Sequence, residues 1–307
     1  MNEAKSQPMR IGIFYFSGTG NTKTVTYLLA KEMENKGCHV DIYAIDEILK
    51  TKDNISLNTY DVVGFGYPVH AFNAPRIFFE FVNRLPVGNQ KKTFVYKSAG
   101  DPFMNGGSSA LVRKALQTKG YDVSYERLFV MPANVLIRYK DPIIKHLYTT
   151  AVRHVKTMTT EILSGKQRLQ NNTIISTALT AGFSSMESIG ARFFGKHLTV
   201  TSSCNHCGIC IQNCPTKNIT EQGRHIIFDS QCTFCMRCIY GCPVQAIVPR
   251  FLKFLVIHPW FDLEKIGKNP SLQDTYITQT TKGYFRHFHK YVSEEYPSRD
   301  ADGQIFK

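Results

Sequence analysis

Eight of the nine cysteines in this 307-residue chain fall into two runs of identical spacing. Cys204, Cys207, Cys210 and Cys214 precede Pro215; Cys232, Cys235, Cys238 and Cys242 precede Pro243. Paired cysteines serve disulfides in exported chains. Here the opening MNEAKSQPMR lacks the apolar segment of an export signal, so thiolate ligation of metal is the expected chemistry. The first three cysteines of each run stand at turn-like spacing and can point inward around one 4Fe–4S cubane. Zinc sites more often use paired Cys-x2-Cys units. Cys38, between Gly37 and His39, reads as an ordinary cysteine beside a strand. Ile209, Ile219, Ile239, Ala246 and Ile247 are the expected shields against water.

With CPTKNI and CPVQAI after the fourth cysteines, residues 199–249 resemble bacterial-type two-cluster ferredoxins. The resemblance implies two 4Fe–4S clusters, with each fourth cysteine serving the other cluster. One ligand set is then Cys204, Cys207, Cys210 and Cys242; the other is Cys232, Cys235, Cys238 and Cys214. Such interlocking lets a short segment with little core fold around its metal.

A second chemistry-bearing segment is Ser17-Gly18-Thr19-Gly20-Asn21-Thr22, between a short apolar run and a helical pattern. Backbone amides at a helix start, with three hydroxyls, form an anion site. The loop lacks the lysine of a P-loop, and Lys23 stands where a dinucleotide fingerprint needs its third glycine. A terminal phosphate monoester, as in FMN, suits it. The first 165 residues thereby resemble a flavodoxin. The resemblance implies that two later loops flank the flavin ring. One holds Tyr67, Pro68, Val69, His70, Phe72 and Asn73; the other holds Ser98, Ala99, Gly100 and Asp101 and runs on to Gly107. Tyr67, His70, Phe72 or Phe103 is the expected stacking partner. The second loop has no tryptophan, and the domain is mildly basic where many flavodoxins are acidic.

Alternating elements must position these loops. Strands are expected at Ile11–Phe16, Val40–Ala44, Asp61–Gly66, Thr93–Lys97 and Val123–Val130. Helices are expected at Val25–Met33, Pro75–Leu85, Ser108–Gln117 and Pro142–Leu163. The alternation predicts an α/β fold with a doubly wound parallel sheet, and the flavodoxin resemblance implies five strands in the order 2-1-3-4-5. A small α+β ferredoxin domain follows. The expected division is 1–165 for the flavodoxin-like domain, 166–198 for a connector with a short helix near Ser185–Phe194, 199–249 for the cluster domain and 250–307 for a tail. That tail carries no motif and is expected to pack on the other modules. Its RFLKFLVIHPWF segment has a second reading as a contact with a membrane surface.

No apolar run approaches the ~20 residues of a membrane span, and a cytoplasmic location is expected. The net charge is +13, with 10 basic and 3 acidic side chains in residues 127–198. Arg138, Lys140, Lys145, Arg153 and Lys156 there suggest docking of an acidic redox protein: a ferredoxin, a flavodoxin or an oxidoreductase subunit. No nucleic-acid-binding module and no nicotinamide fingerprint appear. The whole chain resembles the flavodoxin–ferredoxin fusion proteins of anaerobic prokaryotes, which implies electron transfer between FMN, two clusters and an external partner. The alternatives are a cluster-fed flavin reductase acting on a small molecule and a redox-sensing interaction module.

Overall fold

The computed structural model describes residues 7–51, 55–103, 106–171 and 173–294. Five strands, β1 (Arg10–Tyr15), β2 (His39–Ala44), β3 (Val62–Pro68), β4 (Lys91–Ala99) and β5 (Tyr121–Val130), pair in parallel in the order β2-β1-β3-β4-β5. All seven residues of β3 are buried, as expected of a strand covered on both faces. On one face lie α1 (Asn21–Asn35) and α5 (Asp141–Leu163). Their Val25, Leu29, Met33, Ala151, Val155 and Met158 cover Ile11, Ile13, Phe94 and Tyr96. On the other, α3 (Arg76–Arg84) and α4 (Gly106–Thr118) set Phe78, Phe81, Val112 and Leu116 against Phe14, Phe65 and Val95. The short helix α2 (Ile45–Thr51), absent from the sequence reading, follows β2 directly.

Because the chain reverses direction across the sheet after β2, the loops behind β1 and β3 diverge. They open a crevice at the carboxyl ends of the strands, where ligands bind in such sheets.

The segment expected as a connector is instead a 23-residue helix, α6 (Ile174–Lys196), packed along α4. Three glycines and a run of Ser and Thr lower its intrinsic propensity, which hid its length in the sequence. Phe183 of α6 touches Phe72, and Asn73 donates to the Ser184 hydroxyl at 3.0 Å. At its other end Phe194 meets Phe234 edge-on. The helix therefore spans from the first module to the second.

The cysteine module is small. The strands β6 (Leu198–Val200) and β9 (Ile247–Pro249) close its ends as an antiparallel pair, and β7 (Ile219–Gln222) and β8 (His225–Phe228) form a hairpin. Each cysteine run contains one short helix, α7 (Ile209–Asn213) or α8 (Arg237–Tyr240).

The tail lies along α5. Phe261, Ile277, Phe288, Tyr291 and Val292 bury against Ile143, Ile144 and Leu147, and the Tyr291 hydroxyl accepts the Val130 amide at 2.9 Å.

Candidate functional site

The cysteine runs converge in a shared apolar core with Ile219, Ile239 and Ile247, while Phe194 of α6 adds a further wall. Ala246 is buried as well; Ile209 is only half-buried. Backbone amides aim at three sulfurs: Asn218 at Cys214 (3.2 Å), Ala246 at Cys242 (3.3 Å) and Phe234 at Cys232 (3.4 Å). Such contacts stabilise thiolate over thiol. Burial, then the neighbouring thiols Cys235, Cys232, Cys214 and Cys210, push the Cys238 thiol well up. Burial chiefly lifts Cys232 to about 12 and Cys235 to about 11, with Cys214 contributing to both. Cys210, by contrast, is raised by burial and by Cys204 and Cys207. The Cys214 sulfur is thus close enough to be felt by all three leading thiols of the second run. Metal loading here must displace protons. Among the described residues no three His, Cys, Asp or Glu side chains are grouped to hold a single metal ion. The case for the eight cysteines rests on their spacing, these amide contacts and the comparisons below.

The crevice of the sheet is a cavity of about 380 Å³, within the range of small-molecule pockets. Pro68, Val69 and His70 from the β3 loop line it, with Ser98, Ala99 and Gly100 from the β4 loop. The sequence reading missed its other walls. Pro132–Leu136 after β5 form one, Glu187 of α6 another, and Phe234, Cys235 and Met236 of the second cysteine run a third. These come from segments remote in sequence, so only the fold brings them together.

The hydroxyl loop, of which Asn21 lines the cavity, wraps the start of α1. Gly20 has φ +109°, a left-handed conformation that favours glycine, and its amide donates to the Ser17 hydroxyl at 3.2 Å. The Thr19 hydroxyl is buried without a hydrogen-bond partner. A donor placed so is costly unless a ligand meets it, and it fits an anionic oxygen. Thr22 is differently employed: its hydroxyl pairs with Ser98 at 2.7 Å. Asn21 ties the loop to the Pro132 carbonyl at 2.7 Å and to Asn134 at 3.1 Å. Gly18 abuts the second cysteine run, and a Cβ there would overlap the Cys235 carbonyl. Arg237 locks this contact. It donates to Asp46 at 2.6 Å, to the Ser17 carbonyl at 2.7 Å and to the Asn213 carbonyl at 3.1 Å.

The aromatic candidates separate. Tyr67 is fully buried against Phe78 and belongs to the core rather than to the cavity wall. Phe72 turns to Phe183, and Phe103 is exposed. Asp101 faces the tail, accepting from Tyr284 at 2.8 Å and pairing with His287 at 2.9 Å. Met104 and Asn105 lie outside the described residues. His70 is the one candidate ring that lines the cavity. Burial depresses its pKa to about 4, and its Nδ1 has no partner, so a neutral imidazole faces the space.

Two family profiles match the chain: "Flavodoxin domain" over residues 12–99 and "4Fe-4S dicluster domain" over residues 197–247. The chain is a flavodoxin–ferredoxin fusion. The flavodoxin domain implies FMN, and the dicluster domain implies iron–sulfur clusters. The orphaned Thr19 hydroxyl, the left-handed Gly20 and the sheet-edge cavity fit the former; the amide-tipped cysteines fit the latter.

Among curated proteins, an uncharacterized protein of Methanocaldococcus jannaschii is 29% identical over 103 residues, which are 34% of this chain and 62% of that protein. Its matched portion is thus less than two thirds of its length. An archaeal flavodoxin structure is 16% identical and covers 51% of this chain and 98% of its own, with a TM-score of 0.38. Rubredoxin oxygen:oxidoreductase of Desulfovibrio gigas is 18% identical over 52% of this chain and 37% of its own, with a TM-score of 0.37.

Proposed function

We propose that this fusion passes electrons internally between one FMN and two 4Fe–4S clusters, and onward to an external redox protein. One observation carries the reading: the second cysteine run forms a wall of the flavodoxin cavity, through Phe234, Cys235 and Met236. A cofactor in that cavity would stand beside a cluster ligand. When bound, FMN exchanges one or two electrons and a 4Fe–4S cluster exchanges one. The chain's own residues contribute position and exclusion of water. Thr19 and the loop amides hold the phosphate; Pro68–His70, Ser98–Gly100 and Pro132–Leu136 enclose the ring. His70 offers it a neutral nitrogen.

Two ligand sets are proposed: Cys204, Cys207, Cys210 and Cys242 for one cluster, Cys232, Cys235, Cys238 and Cys214 for the other. Support for the exchange comes from the Cys214 thiol, which raises the pKa of all three leading cysteines of the second run. Anaerobic reconstitution followed by rapid mixing with a one-electron reductant tests the route. Flavin and clusters should reach a common redox equilibrium faster than any bimolecular exchange. If the two chromophores instead reduce at rates that each depend on protein concentration, the internal route is wrong.

The external partner is proposed to be acidic, because the chain is strongly basic. The tail has claimed part of the surface suggested by sequence. Lys145 donates to the Gly267 carbonyl at 2.7 Å and Arg153 to the Val292 carbonyl at 2.9 Å, while Arg138 is engaged within its own domain by Asp141 at 2.7 Å. Lys140 and Lys156 remain exposed. Electron transfer to an acidic ferredoxin should slow as salt rises, and Lys140→Glu with Lys156→Glu should slow it at low salt. Rates indifferent to both changes would remove the acidic partner from consideration.

A further inference from the structure

The helix α6 presents an apolar stripe that stays largely exposed among the described residues, with Phe183 meeting Phe72 at one edge. Leu179, Phe183, Met186, Ile189 and Phe193 are all exposed, Met186 and Ile189 by about 70% (69% and 70%). At 100° per residue they fall within an arc of ~120°. The helix's inner face is a different one, carrying Thr180, Ala191 and Phe194, all buried. At its C-terminal end the stripe continues onto a second element. Phe193 stacks on Phe251, with ring centroids 6.2 Å apart, and the Arg250 amide donates to the His197 carbonyl at 2.8 Å. There the RFLKF turn lifts Phe251, Leu252 and Phe254 into solvent, Phe254 by 66%. The following residues, Val256 and Ile257, are buried. The RFLKFLVIHPWF segment thus divides: its second half packs on the protein and its first half does not.

Charge says what covers this surface. Arg192, Lys196, Arg250 and Lys253 border the stripe and are exposed. The one carboxylate of α6, Glu187, lines the internal cavity instead. Protruding aromatic and aliphatic side chains with a rim of single positive sign match the interface of an anionic bilayer. Apolar groups enter the headgroup boundary there, and lysine and arginine reach the phosphates. A second copy of this chain would bring the same four cations against one another. No helix among the described residues is long and apolar enough to cross a membrane, so the contact is interfacial.

We propose that α6 and the 250–254 turn dock the protein on an anionic lipid surface. The experiment is co-sedimentation of the cofactor-loaded chain with vesicles of phosphatidylcholine alone and of phosphatidylcholine mixed with phosphatidylglycerol. Binding to the mixed vesicles, weak on the neutral ones and falling with salt, is the expected result. Phe251→Ser with Phe254→Ser should lower partitioning roughly tenfold or more. Arg250→Gln with Lys253→Gln should do the same on anionic vesicles only. Flavin and cluster absorbance confirms that each variant is intact. Equal binding to both vesicle types, no binding to either, or a dimer dispersed by the phenylalanine variant would overturn the proposal. So would a soluble acidic protein whose complex the same variants abolish while vesicles remain unbound.

Discussion

A single missing Cβ separates the two domains at Gly18. Any larger residue there would collide with the Cys235 carbonyl, a backbone atom that cannot rotate away. Gly18→Ala should therefore lower the denaturation midpoint by the equivalent of about 1–3 kcal/mol and weaken FMN binding, both read by titration. Unchanged values would mean that the two segments do not touch in solution. Lys97 raises a different issue. It is buried, hydrogen-bonded to the Ser108 and Ser109 hydroxyls, and burial depresses its pKa to about 7. An unfolded lysine keeps its proton to about pH 10.4. Between pH 7 and 10 the unfolded chain thus binds more protons at this site, and stability should climb with pH, by at most about 1.4 kcal/mol per unit. Lys97→Met should flatten that slope in a pH series of denaturant titrations, and an unchanged slope would assign it to other groups. The sequence singled out residues in motifs, such as the cysteines and Thr19, as candidates for chemistry. It could not disclose which hydroxyls were already engaged. Thr22 has the same side chain as Thr19, yet Ser98, 76 residues away, occupies it.

At the level of elements, strand runs and amphipathic helices were legible because burial imposes a period on their side chains. Helix α6 was legible only in its second half, around Ser185–Phe194. Its apolar residues do recur at helical spacing, but they face outward, and its glycines speak against a helix. Those glycines are not equivalent. A Cβ on Gly182 or Gly190 meets open space, whereas one on Gly195 would overlap Cys232. Gly182→Ala should stabilise the chain by up to about 1 kcal/mol, as helix propensity dictates. Gly195→Ala should instead destabilise it and deplete iron and sulfide, because it displaces Cys232, one of the proposed cluster ligands. Thermal melts and metal analysis of the two variants check this, and parallel behaviour would refute the proposed close packing.

The whole molecule is not two domains on a string. Arg237 belongs to the cluster domain, yet it pairs with Asp46, whose side chain is 3% exposed, and with the Ser17 carbonyl of the hydroxyl loop. Removing one partner of such a buried pair costs about 3–5 kcal/mol. Arg237→Ala should loosen the interface, and limited proteolysis should then separate the domains at lower protease concentration. Asp46→Asn provides the test from the other side, leaving the cysteine run untouched; if it alone has no effect, the clamp is not electrostatic. The sequence identified both modules but was silent on this arrangement. No local pattern connects residues 46 and 237, and domain contact follows from surfaces that exist only once each module has folded.

Cys235 resting on Gly18 also sets an order of events in the protein's life. The cysteine run roofs the loop proposed to receive the phosphate, so flavin would have its freest entry before the cluster domain has closed down. Biogenesis should then favour flavin first and metal second, and apoprotein given both in the reverse order should take up FMN more slowly. The same roof couples the two cofactors in damage. Oxygen that dismantles the cluster held by the second run would release its cysteines, free the roof and expose the flavin to solvent. Flavin fluorescence should rise in step with cluster bleaching during exposure to air; bleaching without that rise would show that the roof stands without its metal.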